Sequence, residues 1–383
     1  MDRIYLDYAA TAPVLPEVLD VMLPFFVSQF GNPSGIHMNG RESRKAVEHA
    51  RRQTAEALGA ESREIYFTSG GSESNNLAIQ GTAFALREKG NHIITTQIEH
   101  PSVLNTCRWL EKRGFQVTYL PVDTCGRVSP ENVRDAVRSG TILVSVMAAN
   151  NEIGTIQPVA EIGEICRGKG VVFHTDAVQA AGMLKTDVQE MRADLLSLSG
   201  HKFHGPKGTG ALYIRKGTRL ESLIHGGSQE RGLRAGTENV PGIAGMGKAI
   251  EIAMDELEDK PARIRELRDL LAGLILERVP GAKLNGHPTM RLPNNCHFSF
   301  SGIESEALLL RLDLAGISAS GGSACTAGSM EPSHVLKAIG LEDDLLKGGI
   351  RFTLGRETTR EEIEKTAQIL PEIVEDLRNL RSL

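Results

Sequence analysis

The sequence predicts an α/β fold in which a mainly parallel sheet of seven strands is flanked by helices, with a smaller α+β domain towards the C-terminus. The chain has 383 residues, more than one small core requires. Strands alternate with helical stretches through its first two-thirds, a pattern typical of a parallel sheet covered on both faces. The run 141–147 is apolar and rich in β-branched residues, as a buried central strand should be.

The seven predicted strands are short apolar segments at 64–68, 92–96, 116–120, 141–147, 171–173, 195–198 and 210–214. Gly70 and Gly71 follow the first strand and lead into a predicted helix. Ser129 predicts the N-cap of another helix, because serine accepts from the first free amides and Pro130 suits the first helical position.

The pattern changes between residues 251 and 261, where charge density rises and a proline ends the run. We predict a large domain at 13–258 and a small domain formed by 1–12 and 259–383, with a mobile Gly/Ser-rich loop at 318–332. The last helix should begin after Thr359, which forms a capping box with Glu362.

Composition excludes several classes of protein. The 48 acidic and 43 basic residues give a net charge of −5, which does not favour nucleic acid or an anionic membrane as partner. No apolar run is long enough to span a membrane, and the N-terminus does not resemble a signal peptide. The five cysteines are dispersed without a CxxC pair, which favours a reducing, cytoplasmic location over a disulfide framework or a metal site.

The most informative residues are Asp176, at the end of a predicted strand, and Lys202, between two histidines in a turn. A lysine nucleophile needs a pre-organised loop, and a cofactor ring nitrogen that serves in an electron sink needs a carboxylate partner. The pair therefore indicates a pyridoxal-phosphate (PLP) site. Taken singly, Lys202 could equally be a solvated loop lysine, and Asp176 could equally be an ordinary strand-end aspartate.

Other polar residues follow predicted strands and are candidates for phosphate binding. Gly71 and Ser72 lie at a helix N-terminus, where backbone amides and the helix dipole bind anions. Ser199 and His201 flank the lysine turn and could hold the same phosphate. A helix cap without ligand, or local turn hydrogen bonding, would explain these residues as well.

His100, Asn151 and Gln179 each follow a predicted strand. Ligands of parallel sheets bind outside the carboxyl ends of strands, so His100 could stack on a flat ring or transfer protons. Asn151 and Gln179 could contact the cofactor's phenolic oxygen or the substrate, although a role in turn formation remains open.

Two further residues suit catalysis and substrate binding. Cys325 lies among Gly, Ser and Ala rather than apolar residues, which is typical of an exposed, reactive thiol. Arg351 lies alone in a strand-like segment, where it could bind a carboxylate by a bidentate fork or form a structural salt bridge.

Together these motifs resemble the cysteine desulfurases of the NifS/IscS type, which are aminotransferase-class-V-like enzymes of PLP fold type I. The resemblance runs nearly end to end and rests on segments at 5–11, 31–34, 99–100, 150–152, 229–239 and 322–326, besides Asp176 and Lys202. It implies that the protein converts L-cysteine to L-alanine, with Lys202 linked to PLP and Cys325 carrying the sulfur as a persulfide.

The resemblance also implies the remaining contacts. Asp176 would pair with the ring nitrogen, His100 would stack on the ring, and Asn151 and Gln179 would face the ring oxygen or the substrate. The phosphate ligands would be Gly71, Ser72, Ser199, His201 and, from the partner subunit of a homodimer, Thr237. Arg351, with Asn32 nearby, would hold the substrate carboxylate.

Other functions stay open at this point. A selenocysteine lyase, another class V PLP transferase or lyase, and a non-catalytic regulatory subunit share much of the pattern; Cys325 argues against thiol-free enzymes. The sulfur acceptor is also open between an iron–sulfur scaffold protein and a tRNA thiolase.

Overall fold

The computed structural model describes residues 3–321 and 332–381. Its largest sheet has seven strands in the order β2-β8-β7-β6-β5-β3-β4. These strands are β2 (Ile65–Thr68), β3 (His92–Thr96), β4 (Gln116–Leu120), β5 (Thr141–Ser145), β6 (Val172–Asp176), β7 (Leu195–Ser199) and β8 (Gly210–Ile214). All neighbouring pairs from β7 to β4 are parallel, whereas β8 pairs antiparallel with both β2 and β7. The predicted mainly parallel, seven-stranded sheet is therefore confirmed.

Helices cover both faces of this sheet. The helices of this part of the chain are α1 (Pro16–Met22), α2 (Pro24–Val27), α3 (Met38–Leu58), α4 (Gly71–Ala85), α5 (Pro101–Glu111), α6 (Pro130–Ala136), α7 (Val159–Lys169) and α8 (Val240–Asp255). Alternate residues of β8 show the two faces: Ala211 and Tyr213 pack in the cluster that includes α3 and α8, and Leu212 and Ile214 in the one that includes α4. The alternation follows from the two-residue period of a strand.

The C-terminal part of the chain forms a second, antiparallel sheet in the order β12-β10-β9. Its strands are β9 (Ala282–Asn285), β10 (Asn295–Phe300) and β12 (Gly349–Thr353). Its helices are α9 (Asp259–Arg278), α10 (Ser305–Leu314), α11 (His334–Ala338), α12 (Asp343–Lys347) and α13 (Arg360–Arg381). The N-terminal strand β1 (Ile4–Tyr5) pairs in parallel with β11 (Ile317–Ser318), so the first residues pack with this C-terminal part.

The hydrophobic cores reflect the same division. One cluster contains Ile4 and Leu6 together with residues from α9, β10, β12 and α13. Another contains the interior of the large sheet and the helices on one of its faces. The domain boundaries at 12/13 and 258/259 stay predictions. Within the described residues, no helix is both long and apolar enough to cross a bilayer.

Candidate active site

A cavity of about 450 Å³ opens at the carboxyl ends of β5, β6 and β7. It brings together ten of the residues singled out from the sequence, namely Gly71, Ser72, His100, Asn151, Asp176, Gln179, Ser199, His201, Lys202 and Arg351. The location agrees with the general rule for ligands of parallel sheets. Its volume lies in the range of about 300–1,000 Å³ usual for small-molecule sites.

The N-terminus of α4 forms one wall of the cavity. Gly70 precedes this helix with φ of 152°, a conformation that side chains rarely adopt. A Cβ atom on Gly71 would lie 2.7 Å from Cγ2 of Val178, so the helix start approaches the residues after β6 closely. The free amides of this helix end, with the hydroxyls of Ser72 and Ser199 on the same cavity, make a donor set suited to a phosphate.

Asp176 ends β6 and is buried, with 6% of its surface exposed. Its Oδ1 accepts from the backbone N–H of Val178 at 3.0 Å. Its Oδ2 accepts from Nδ2 of Asn75 at 2.7 Å. A buried carboxylate that keeps its charge needs such donors, and a protonated ring nitrogen in the cavity would add a compensating positive charge.

His100 is the N-cap of α5, and its Nδ1 accepts from the backbone N–H of Ser102 at 3.2 Å. Burial lowers the pKa of His100, and the nearby Lys202 acts in the same direction while Asp176 opposes it. The imidazole therefore tends to stay neutral, as suits a ring that faces a flat cofactor and exchanges protons.

Lys202 ends the short 3₁₀ turn after β7 and points to the N-terminal segment. Its Nζ donates to the carbonyl oxygens of Ala9 and Ala10 at 2.6 and 2.7 Å. Nε2 of Gln179 donates to the same Ala9 oxygen at 3.0 Å. The N-terminal segment thus orients the amine within the cavity.

His201 precedes the lysine and lies 3.1 Å, Nδ1 to Oγ1, from Thr11. Burial, followed by the charge of Lys202, lowers the pKa of His201 to about 4. Its ring is therefore neutral near pH 7, and an N–H of the neutral imidazole is available to a phosphate as a donor.

Arg351 in β12 has 2% of its surface exposed and yet lines the cavity. Its Nη2 donates to Asp7 Oδ1 at 2.8 Å. Its Nη1 donates to the backbone oxygen of Asn151 at 2.8 Å. The structural salt bridge considered from the sequence is thus present, and it fixes a guanidinium group at the cavity wall, where a substrate carboxylate can meet it.

Two of the predicted residues that the structure describes, Asn32 and Thr237, do not line this cavity. Asn32 is exposed, and its Oδ1 accepts from the backbone N–H of Ser34 at 2.9 Å. Thr237 is exposed as well, and its predicted role requires a partner subunit. Cys325 lies outside the described residues.

Sequence reasoning did not single out Asn75, Glu152 or His334, which also line the cavity. Asn75 belongs to the same helix-start motif as Gly71 and Ser72, and its helical spacing from the phosphate wall was an available signal. His334 donates from Nε2 to the backbone oxygen of Glu99 at 2.9 Å. It begins a separate helix far along the chain, and no local pattern links it to the site.

The donor set of the described residues fits PLP. One cavity contains a helix start too tightly packed for a side chain, which suits a phosphate, and a buried carboxylate, which suits a ring nitrogen. The same cavity contains a lysine amine, which suits an aldehyde, and a neutral histidine, which suits a ring face.

Comparisons with known proteins agree with this geometry. Residues 4–366 match the family described as Aminotransferase class-V. The chain is 56% identical to the cysteine desulfurase IscS of Methanosarcina thermophila, over 99% of this chain and 94% of that protein. It is 55% identical to the one from Dictyoglomus turgidum, over 99% of this chain and 96% of that protein.

Solved structures are similar over nearly the whole chain. One described as a NifS-like protein superposes with a TM-score of 0.92 at 40% identity, covering 98% of this chain and all of that one. Another, described as SspA in complex with cysteine, gives a TM-score of 0.82 at 40% identity, covering 92% of this chain and 98% of that one. With this fold, these site residues and these relatives, the chain belongs to the aminotransferase class-V family and, within it, to the cysteine desulfurases of the NifS/IscS type.

Proposed function

We propose that this protein is a PLP-dependent cysteine desulfurase that converts L-cysteine to L-alanine and retains the sulfur on Cys325. The observation that carries the proposal is that Lys202, Asp176, His100 and Arg351 meet at one cavity from four separate segments of the chain. The similar proteins support it, including the cysteine desulfurase IscS of Methanosarcina thermophila, the NifS-like structure and the one solved with cysteine.

The residues that hold PLP are assigned by their chemistry. The amides at the start of α4, with Ser72, Ser199 and His201, take the phosphate; Asp176 takes the ring nitrogen and Lys202 the aldehyde carbon. When bound, PLP supplies an electron-accepting ring that stabilises negative charge developing on the substrate. Asn151 and Gln179 border the same space and are available to the ring oxygen or the substrate.

The chain's own groups orient the substrate and move its protons. Arg351 pairs with the carboxylate of cysteine, because a guanidinium group already held by Asp7 needs little reorganisation to donate to a second carboxylate. Lys202 lines the same cavity, where its amine would move protons at the substrate's α-carbon. His100 lines the same cavity, and an N–H of its neutral imidazole would donate a hydrogen bond there.

Cys325 is the proposed sulfur acceptor. Its thiolate forms an S–S bond to the substrate sulfur as the substrate's C–S bond breaks, so that L-cysteine and the Cys325 thiol become L-alanine and a Cys325 persulfide. The described cysteines are less suited. Cys107, Cys166 and Cys296 are buried, and burial raises the pKa of each thiol to about 12. Cys125 is half-buried and does not line the cavity.

We further propose a cytoplasmic homodimer that delivers sulfur to an acceptor protein, either an iron–sulfur scaffold or a tRNA thiolase. The dimer would bring Thr237 of one protomer to the phosphate of the other, which accounts for an exposed threonine in a Gly-rich segment. Asn32, exposed here, would join the substrate site in the same assembly.

The test compares Cys325→Ala with Cys125→Ala. The Cys325 variant should bind PLP and lose alanine and persulfide formation, whereas the Cys125 variant should keep both. Alanine is measured by amino-acid analysis and the persulfide by alkylation and mass mapping. Alanine formation at the parental rate by Cys325→Ala would refute the assigned acceptor; no alanine from the parent enzyme would refute the activity.

A further inference from the structure

A chain of three hydrogen bonds joins Asp176 to His100 through two side chains that have no role in the proposed function so far. Nδ2 of Asn75 lies 2.7 Å from Asp176 Oδ2 and 2.9 Å from Ser102 Oγ. Ser102 Oγ lies 2.8 Å from Nδ1 of His100. Asn75 is 1% exposed and projects from α4, whereas Ser102 lies in the first turn of α5.

The direction of each hydrogen bond follows from the chemistry of the groups. An ionised carboxylate only accepts, so the Asn75 atom that faces Asp176 must be the amide nitrogen. The same nitrogen has a second hydrogen for Ser102 Oγ. At the other end, the backbone N–H of Ser102 can only donate, so Nδ1 of His100 carries no hydrogen. The Ser102 hydroxyl therefore donates to Nδ1 while it accepts from Asn75.

We propose that Asn75 is a positioning residue of the reaction: its one amide group donates to Asp176 and to Ser102, and thereby fixes both the ring orientation of His100 and the placement of its proton on Nε2. The proposal rests on the desulfurase function and adds two residues to it. Oδ1 of Asn75 is buried without a hydrogen-bond partner among the described residues. The two donated hydrogen bonds therefore hold the amide in an orientation that leaves its oxygen without a partner among the described residues.

The consequence is that Asp176, expected at the ring nitrogen of the cofactor, and His100, expected on the ring face, are positioned by the same amide group. Asp176 receives a hydrogen from a neutral donor, which keeps the carboxylate in place without neutralising it. His100 can take a second proton only at Nδ1, where two donors already point. Among the residues that the structure describes, the charged and titratable groups that face His100 are Asp176 after β6, Lys202 after β7 and His334 at the start of α11. Asn75 of α4 and Ser102 of α5 belong to the same surroundings.

The experiment titrates His100 in the full-length protein, with and without added PLP, by NMR of ring-labelled histidine assigned through His100→Gln. In the parent, His100 should be the Nε2–H tautomer. Asn75→Asp reverses the chain. The new carboxyl group shares one proton with Asp176, because two ionised carboxylates cannot lie 2.7 Å apart, and it accepts from the Ser102 hydroxyl, whose oxygen then accepts from Nδ1–H. The pKa of His100 should rise by about one unit. Asn76→Asp places a carboxyl group one residue along the helix, outside the chain, and should give less than half that shift.

Ser102→Ala in the Asn75→Asp background should remove at least half of the shift. Equal shifts in the Asn75 and Asn76 variants, or no effect of Ser102→Ala, would overturn the proposal. If Asn75→Asp does not fold, the Ser102→Ala variant alone tests the proposal, since alanine suits the first turn of a helix and this variant should fold. Ser102→Ala should lower kcat by about threefold to tenfold with KM nearly unchanged. Ser102→Thr, which keeps the hydroxyl group, should restore most of the lost kcat.

Parental kcat and an unchanged His100 titration in Ser102→Ala would likewise overturn the proposal. Because the titration does not depend on turnover, a coupled His100 in a protein without desulfurase activity would contradict the proposed function alone.

Discussion

At the scale of single residues, Glu99 is a fully buried carboxyl group next to the cavity. It accepts from the Thr96 hydroxyl at 2.8 Å and from the backbone N–H of Met147 at 3.0 Å. These bonds do not offset its burial, which raises the pKa of Glu99 to about 8; the nearby Asp176 adds to the effect. Glu99 therefore holds a proton near neutral pH in the folded protein.

This pKa predicts a pH-dependent stability. In the unfolded chain the pKa of a glutamate is about 4.3, so between that pH and about 8 only the folded state binds the proton. The contribution of Glu99 to the free energy of unfolding must fall as pH rises through this window, by at most about 1.4 kcal/mol per unit. The free energy of unfolding of Glu99→Gln, measured in urea and compared with that of the parent at the same pH, should rise from pH 5 to pH 8, because only the parent loses the Glu99 contribution. A difference that stays constant with pH would contradict the assignment.

Lys202 carries the second prediction at this scale. Lys202→Ala should lose the covalent incorporation of PLP on borohydride reduction and nearly all sulfide release, because no other amine among the described residues lines the cavity. Lys207→Ala, a few residues along and exposed, is the matched control and should keep both. Appreciable turnover by the Lys202 variant would show that another group acts.

The site residues that sequence predicted are those whose chemistry is local. Asp176 ends a strand and Lys202 follows one, and their position at the sheet edge can be inferred from the order of elements alone. The helix-start motif places Asn75 near the site but does not show its partners, and no local pattern places His334. What matters is contact between α4 and α5 in one case and between α11 and the residues after β3 in the other. Such contacts depend on packing across the fold, which local patterns do not contain.

At the scale of elements, the start of α4 depends on Gly70. An alanine there would make an ordinary van der Waals contact, its Cβ 3.8 Å from Ser199 Oγ, but would retain φ of 152°. Gly70→Ala should therefore lower the free energy of unfolding by about 1–3 kcal/mol and weaken PLP binding, because the helix start would shift away from the phosphate position.

Gly114→Ala is the control for this strain. Gly114 also has positive φ, 86°, with nothing near its Cβ position, and it does not line the cavity. The Gly114→Ala variant should have a lower free energy of unfolding but an unchanged affinity for PLP, which is measured by equilibrium titration of the cofactor's absorbance. A parental affinity in Gly70→Ala would mean that the helix start does not hold the phosphate.

Most element predictions held, and the differences have physical causes. The capping box is present, with Glu362 N–H donating to Thr359 Oγ1 at 3.3 Å. The apolar run 141–147 continues past the end of β5 at Ser145, because the Met147 amide turns to the Glu99 carboxyl group. Strand β6 ends at Asp176, as predicted, and His174 within it is buried with partners on both sides, Ser145 and Ser197.

At the scale of the whole molecule, exposed apolar side chains concentrate between residues 19 and 38. Phe26, Val27, Phe30 and Ile36 are exposed by 59%, 76%, 68% and 90%. A concentration of this kind is typical of an interaction surface and supports the proposed homodimer. Phe26→Asp combined with Val27→Asp should give a monomer by sedimentation that retains PLP poorly, because Thr237 of the partner subunit would be lost.

Leu310→Asp combined with Leu314→Asp is the matched control. These side chains are exposed by 68% and 82% on α10, in another part of the chain, and their variant should remain dimeric with PLP bound. A Phe26/Val27 variant that is monomeric, retains PLP and stays active would refute the shared site. A variant that remains a dimer would place the interface elsewhere.

The N-terminal segment has a consequence for biosynthesis. Ala9 and Ala10 hold the Lys202 amine, and Asp7 holds Arg351, 344 residues further along the chain. A ribosome synthesises the N-terminal segment long before β12. The strand pairing of β1 must also wait for β11, so the first residues stay without these partners until the C-terminal part has been made. The wall of the cavity that Asp7 and Arg351 form therefore cannot be completed before β12 has left the ribosome.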